Sequence, residues 1–62
     1  MEFKDKLKAA REKKNLTRHA LAVKAGVSAS QICALEDGKS NPSAVMLHKL
    51  SAALEVEISE LL

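Results

Sequence analysis

This sequence contains few of the residues on which many small domains rely for stability. Among its 62 residues there is one cysteine, one proline, two glycines and a single aromatic residue, Phe3. A lone cysteine cannot form an intramolecular disulfide, so a disulfide-stabilised secreted fold is excluded. No signal peptide, lipidation motif or apolar run of about 18 residues is visible, and we therefore expect a soluble protein of the cytoplasm.

The apolar residues that are present are almost all aliphatic. They make up 47% of the chain. With only one aromatic ring among them, the interior must consist of Leu, Ile, Val, Ala and Met side chains packed between helices. A chain of this length, without linkers or internal repeats, is expected to form one domain over residues 1–62 with a small core.

The charges are unevenly distributed along the chain. Residues 1–18 contain seven Lys and Arg against three Asp and Glu, whereas residues 19–62 contain three against five. The net charge of +2 is too small to identify a partner, but the amino-terminal quarter is distinctly basic.

The stretch from Leu16 to Ser43 predicts two short helices separated by a turn. Thr17 is a typical N-cap, and Gly26 is free to adopt a positive φ where the first of these helices ends. Ser28 and Gln31 have the spacing of a capping box, in which each side chain accepts a hydrogen bond from the backbone amide of the other residue. The second helix therefore begins immediately after the turn.

The second of these helices also has a clear end. Ile32 and Leu35 form its buried stripe, Asp37-Gly38-Lys39 is a turn signal, and Asn41-Pro42 prevents continuation. Apolar spacing places a further helix before this unit and two after it. The predicted helices cover residues 3–13, 17–24, 28–36, 43–53 and 58–62.

This pattern resembles the Cro and lambda-repressor type of helix-turn-helix domain. The matching central positions are Leu16-Thr17, Leu21-Ala22, Ala25-Gly26-Val27-Ser28, Ile32, Leu35-Glu36, Gly38-Lys39 and Asn41-Pro42-Ser43. The match continues through the apolar positions of the last two helices, which are Leu47, Leu50, Ala53-Leu54, Val56, Ile58 and Leu61. The resemblance implies an all-α, compact five-helix lambda-repressor-like DNA-binding domain, with the helix-turn-helix formed by helices 2 and 3.

In such domains the third helix faces DNA bases. The resemblance assigns this role to Ala29, Ser30 and Ala34, and helical spacing places Cys33 on the same face. Ser30 can donate to or accept from a base edge, whereas the alanines can only contact thymine methyl groups or permit close approach. The surface is small and nearly uncharged, so direct sequence readout is expected to be limited. A helix surface that contacts nothing is the alternative.

Contacts to the DNA backbone are expected on both sides of that helix. Thr17 and Arg18 begin the second helix, where free amides and the helix dipole attract a phosphate. In the family a glutamine commonly occupies the position of Arg18 and contacts the backbone. Further backbone contacts are expected from the capping residues and from the loop after the third helix, namely Ser28, Gln31, Lys39, Ser40, Asn41 and Ser43. For Gln31 capping is the first role, and ordinary solvated polarity is the alternative for Arg18 and the loop.

Two further expectations concern glutamates and come from the resemblance. Arg11 and Glu36 match an arginine and a glutamate that form a partly buried structural ion pair in similar repressors. Glu55 and Glu57 stand where the family often has glycine and a capping serine or aspartate. We therefore expect a strained positive φ at Glu55 and a weakly capped fifth helix.

No enzyme, cofactor or metal site is expected. His19 and His48 with one cysteine do not have zinc-ligand spacing. No nucleophile and base pair, phosphate-binding glycine loop or paired catalytic carboxylate is visible. Cys33 is interpreted as a small tolerated side chain, with a redox switch as the alternative.

The resemblance implies double-stranded DNA as the partner. We expect a sequence-specific transcriptional regulator, a repressor by family habit, which binds a near-palindromic operator as a homodimer. The more apolar residues Ala20, Val23, Val45, Met46 and Ala52 suggest a surface for oligomers or partners. The alternative function is a protein-interaction module of the same fold. It is suggested by the acidic side chain of Asp37 and the small side chains of Ala29 and Ala34 on the surface expected to face DNA. RNA binding is disfavoured because single-strand recognition usually uses stacked aromatic side chains, and the chain offers only Phe3.

Overall fold

The computed structural model of the chain describes residues 2–62. These residues form five α-helices and no strand. The helices are α1 (Phe3–Lys13), α2 (Arg18–Ala25), α3 (Ala29–Glu36), α4 (Ala44–Leu54) and α5 (Ile58–Leu61). The predicted all-α five-helix fold is confirmed, and each helix boundary lies within one residue of its predicted position. The starts of α2, α3 and α4 shift by one residue because their capping residues stand just outside the helices.

Three of the helices begin at a hydroxyl side chain that accepts a hydrogen bond from the third helical amide. Thr17 Oγ1 accepts from Ala20 N at 3.0 Å at the start of α2. Ser28 has the same role in α3, and Ser43 Oγ accepts from Met46 N at 3.1 Å in α4. Each of these caps satisfies an amide that has no partner within its own helix.

The first four helices end in the same way, at a residue with positive φ. These residues are Asn15, Gly26, Gly38 and Glu55, with φ values of 58°, 74°, 75° and 57°. The residue that follows each of them donates its backbone amide to the carbonyl oxygen five positions before itself, at 2.9–3.1 Å. This pattern is the Schellman ending. The expected positive φ at Glu55 is confirmed, whereas the equivalent role of Asn15 was missed.

The core lies where the five helices meet. Helix α2 packs against α3 and α4, α1 packs against α3 and α5, and α4 packs against α5. The buried apolar side chains are Leu7, Leu21, Ala22, Ala25, Ile32, Leu35, Leu50, Ala53, Leu54 and Leu61. Fully burying one of the leucines is worth about 2 kcal/mol. Helix α3 is therefore held from two sides by α1 and α2, and only its outer surface remains free.

Some aliphatic residues differ from the expected distribution. Met46 packs against the core and does not belong to an exposed patch. Leu47 and Ile58 are only half-buried, and Val23, Val45 and Leu62 are 63–68% exposed. Apolar surface on the outside of α2, α4 and α5 therefore remains uncovered in the single chain.

Candidate nucleic-acid interface

Helix α3 has a narrow outer surface. Of the four residues that were expected to face bases, Ser30 is exposed, whereas Ala29, Cys33 and Ala34 are half-buried. Ala29 also packs against the core. Ser30 is therefore the main hydrogen-bonding group on the outer surface of α3. The other three side chains are small, so they would allow DNA bases to approach the helix closely.

The capping box at the start of α3 involves two residues that were expected to contact the DNA backbone. Ser28 Oγ accepts from Gln31 N at 3.1 Å, and Gln31 Oε1 accepts from Ser28 N at 3.0 Å. The Ser28 hydroxyl also donates to Gln31 Oε1 at 3.3 Å. Because all these bonds to the Gln31 side chain use its oxygen, the NH₂ group can still donate to a phosphate. The Thr17 cap likewise uses the hydroxyl as an acceptor and leaves its proton available for donation.

Arg18 extends from α2 onto the outer side of α3. Its Nε donates to Glu36 Oε1 at 3.1 Å, its Nη1 lies 3.5 Å from Cys33 Sγ, and its Nη2 lies 3.6 Å from Asp37 Oδ1. Arginine is always charged in proteins, and the hydrogen bonds to Cys33 and Glu36 raise the pKa of the Arg18 guanidinium further above its usual value. The side chain is 39% exposed. Arg18 thus contacts three residues in the carboxyl-terminal half of α3 and its cap. Nothing in the sequence indicated this arrangement.

Beneath Arg18 lies the expected contact between Arg11 and Glu36. Arg11 Nε donates to Glu36 Oε2 at 2.7 Å, and Arg11 Nη2 donates to Glu36 Oε1 at 3.2 Å. Arg11 Nη1 also donates to the carbonyl oxygen of Leu16 at 2.7 Å. The Glu36 side chain has no exposed surface. Two arginines, from α1 and α2, therefore hold the last residue of α3, and this contact fixes the orientation of the helix.

The loop between α3 and α4 forms a polar edge next to α3. Lys39, Ser40 and Asn41 are exposed, and Ser43 caps α4. A crevice of about 180 Å³ is lined by Gln31, Ser40, Asn41 and Ser43, with Leu35 and Met46 as its apolar part. Four of the expected backbone-contact residues therefore surround one crevice, one of them from α3 and three from the loop that leads to α4.

Lys4 is a cation near this loop that sequence reasoning did not identify. Its Cδ lies 3.2 Å from the position that a Cβ would occupy at Gly38. Lys4 also lines a second crevice together with Ser40 and Asn41. The basic character of the amino-terminal quarter was the only signal, and it did not distinguish Lys4 from its neighbours.

The remaining candidates for chemistry lie apart. His19 and His48 are exposed. Across residues 2–62, no three His, Cys, Asp or Glu side chains come together as a metal-binding group. The longest of the five helices has 11 residues, and none of the described helices meets the length and apolarity of a membrane span.

Comparisons with known proteins agree with this geometry. The family model described as helix-turn-helix matches residues 7–61. The HTH-type transcriptional regulator SlrR of Bacillus subtilis is 46% identical over 52 residues, which are 82% of this chain and 34% of SlrR. An uncharacterised HTH-type transcriptional regulator of Methanocaldococcus jannaschii is 41% identical over 59 residues, 95% of this chain and 89% of that protein. This chain thus spans about a third of the length of SlrR and most of the length of the archaeal relative.

A solved structure is similar over nearly the whole fold. It is the crystal structure of the restriction-modification controller protein C.AhdI from Aeromonas hydrophila, with a TM-score of 0.93 and 35% identity. The similarity covers 97% of this chain and 91% of that one. The family match spans most of the sequence, and the similar structure spans the entire arrangement of helices. The chain therefore belongs to the helix-turn-helix DNA-binding domains of the Cro and lambda-repressor type.

Proposed function

We propose that this chain is a transcriptional regulator that binds double-stranded DNA in a sequence-specific manner. In this proposal the outer surface of α3 enters the major groove, Ser30 contacts a base edge, and Ala29, Cys33 and Ala34 approach bases closely. The observation that supports it best is the arrangement of donors around α3. On one side Arg18, next to the capping residue Thr17, contacts Cys33 and Asp37, and on the other lies the crevice lined by Gln31, Ser40, Asn41 and Ser43.

These flanking groups suit phosphates better than bases. Hydroxyl, amide and guanidinium donors are the groups that most often contact the DNA backbone, where they fix the register of a recognition helix. Lys39 adds an exposed cation to the loop. With Ser30 as the main polar group on α3, much of the affinity is assigned to the backbone, and the shape of the DNA contributes to specificity.

We further propose that two copies bind as a homodimer to a near-palindromic operator. Two α3 helices in successive major grooves require half-sites about one helical turn, or roughly 34 Å, apart. Repression is the proposed outcome, with activation and an antitoxin role as alternatives. The named relatives are transcriptional regulators and a restriction-modification controller. They favour regulation over enzymatic activity, with the cytoplasm as the place of action.

The second candidate function is a protein-interaction module that binds DNA weakly. It is favoured by the small side chains of Ala29 and Ala34 and by Asp37, whose exposed carboxylate stands at the end of α3. A protein partner would contact this surface without displacing counterions from DNA. The dependence of binding on salt therefore distinguishes the two functions.

The deciding experiment selects bound sequences from a random duplex pool and then measures affinity for the selected duplex across a range of salt concentrations. We expect enrichment of a near-palindromic site and a steep loss of affinity with salt. Lys39→Ala should reduce the slope by about one unit, because it removes one phosphate contact. The matched control is Lys49→Ala, which removes an exposed lysine of α4. Failure to enrich any duplex, or an affinity independent of salt, would contradict DNA binding as the function.

A further inference from the structure

We propose that Lys4 is an additional DNA-backbone contact, which extends the interface from α3 to the start of α1. This inference rests on the proposed function, because its ligand is a phosphate of the same duplex that α3 contacts. It assigns a role to a residue that precedes the family match, which begins at residue 7. The relevant observations are the path of the Lys4 side chain, the crevices beside it and the charges around it.

The Lys4 side chain runs across Gly38. If Gly38 had a Cβ, that atom would lie 3.2 Å from Lys4 Cδ and 3.6 Å from Lys4 Nζ. Contacts of 3.2 Å are tighter than most real Cβ contacts, so the absence of a side chain at Gly38 allows this close approach. The ammonium group is thereby brought from α1 to the turn that ends α3.

The two crevices beside the α3–α4 loop adjoin each other, because Leu35, Ser40 and Asn41 line both of them. One is lined by Gln31, Ser40, Asn41 and Ser43, and the other, of about 100 Å³, is lined by Lys4 together with Ser40 and Asn41. A DNA strand that follows the loop from the start of α3 would next meet Lys4.

The charges around Lys4 favour an anionic ligand. The ion pairs that residues 2–62 form join Arg11 and Arg18 to Glu36, Arg18 to Asp37, and Lys14 to Glu55, so none includes Lys4. Glu2 lines the same crevice and opposes an anion. Lys39, which follows Gly38 in the sequence and is exposed, offsets that charge. A half-buried lysine beside hydroxyl and amide groups is a typical contact for a phosphate of the DNA backbone.

The test compares Lys4→Gln with Lys13→Gln on the selected operator and on a random duplex. Lys13 is an exposed lysine of the same helix. It lies nine positions later, which turns it to the opposite side of α1. We expect Lys4→Gln to weaken binding to both duplexes by about eightfold at 0.1 M salt, with the difference vanishing near 1 M salt. This is the effect of lowering the salt slope by about 0.9. Lys4→Arg should retain the slope of the unmodified protein, and Lys13→Gln should leave it unchanged.

Melting temperatures of the variants, measured without DNA, show whether each one is folded. If Lys4→Gln and Lys13→Gln change the salt slope equally, the assignment of Lys4 is wrong while the proposed function stands. If Lys4→Gln weakens one sequence and leaves the random duplex unaffected, Lys4 reads a base, and the backbone assignment is again wrong. If the unmodified protein binds no duplex, the proposed function and this inference fail together.

Discussion

Glu36 is a carboxylate without exposed surface that contacts two guanidinium groups. Arg11 donates to both of its oxygens, and Arg18 shares one of them. Burial of a charge is costly unless hydrogen bonds and an opposite charge compensate for it. The contact therefore adds little net stability by itself, but breaking it leaves a charge unpaired in a site of low dielectric constant.

We expect Glu36→Gln to lower the free energy of unfolding by about 3 kcal/mol, because Arg11 loses its counterion while only 12% of its side chain is exposed. Urea denaturation measures this loss. Asp37→Asn is the matched control, because it changes the adjacent carboxylate, which is exposed. A double-mutant cycle with Arg11→Met should give a clear coupling energy. Equal stability losses for Glu36→Gln and Asp37→Asn would be incompatible with a structural role for the buried pair.

Arg18 is bound differently from Arg11, and this difference bears on DNA binding. Its contact with Asp37 is the longest of the ion pairs, at 3.6 Å, and both side chains are about 40% exposed. Glu36 keeps its two bonds to Arg11 if Arg18 moves. In the proposed DNA complex, Arg18 is therefore free to turn toward a phosphate without leaving the buried carboxylate unpaired, and Asp37 is the group with which that phosphate would compete.

Asp37→Asn should consequently strengthen binding to all duplexes by several-fold at low salt. Part of this gain comes simply from removing a negative charge near DNA. The rest of the gain in affinity comes from releasing Arg18 from Asp37. Repeating Asp37→Asn in an Arg18→Gln background isolates this contribution, and we expect the gain to be much smaller there. Affinities of the four proteins for one duplex provide the comparison. An undiminished gain in that background would mean that Asp37 does not act on Arg18.

The helices of this domain are delimited by short-range signals at both ends. Three of the starts depend on hydroxyl groups three residues away from their partners, and four of the ends depend on a residue with positive φ. Glycine supplies that conformation at two ends, and asparagine tolerates it at Asn15. Glu55 is the exception, because a glutamate pays a steric penalty in this region.

We expect Glu55→Gly to raise the melting temperature by about 4 °C, because glycine removes that penalty. The substitution also removes the 3.1 Å contact between Glu55 and Lys14, which is exposed and contributes little. Glu55→Gln isolates that loss, since it keeps the strained backbone and removes the charge. Gly26→Ala is the reverse test. Apart from the adjacent residues and backbone, no atom lies within 4 Å of the added methyl group, so a fall in melting temperature reports the backbone conformation. A lower melting temperature for Glu55→Gly would contradict the proposed strain.

The short range of these signals explains which features the sequence predicted. The caps at Thr17 and Ser28 join residues three positions apart, and the two glycines mark turns wherever they occur. The helix positions and the five-helix fold were therefore predictable, and the resemblance predicted the contact between Arg11 and Glu36. Asn15 was missed although asparagine is the second most common residue at such helix ends.

The remaining parts of the interface depend on how the helices pack. Nothing local links Arg18 to Asp37 or Lys4 to Gly38, because each contact joins different elements brought together by the core. The half-buried position of Cys33 has the same cause. A helical wheel places Cys33 on the outer side of α3, but the Arg18 guanidinium, 3.5 Å from its Sγ, covers part of that side. Sequence patterns give the direction of a side chain, and packing decides its exposure.

At the scale of the whole molecule, the uncovered aliphatic surface bears on the proposed dimer. Ile58 and Leu62 are four positions apart at the carboxyl end of the fold, where Leu62 is 66% exposed. Residues at this spacing lie on one side of a helix. Val23, on α2, is similarly exposed but belongs to the helix-turn-helix itself. A dimer that presents both α3 helices to DNA must leave the helix-turn-helix free, so the α5 end is the better surface for self-association.

We therefore expect the double substitution Ile58→Ser and Leu62→Ser to weaken self-association in sedimentation experiments, whereas Val23→Ser should not.

The double substitution should also alter DNA binding in a defined way, because a dimer engages both half-sites only when they lie on one side of the duplex. Inserting about five base pairs, half a helical turn, between the half-sites rotates one of them to the opposite side. For the unmodified protein this insertion should reduce affinity to that for a single half-site. The substituted protein should bind each half-site independently and tolerate the insertion. The unmodified protein could instead bind the operator with the insertion as tightly as the operator without it. In that case it acts as a monomer or its two copies do not contact each other, and the dimeric mode of action is wrong.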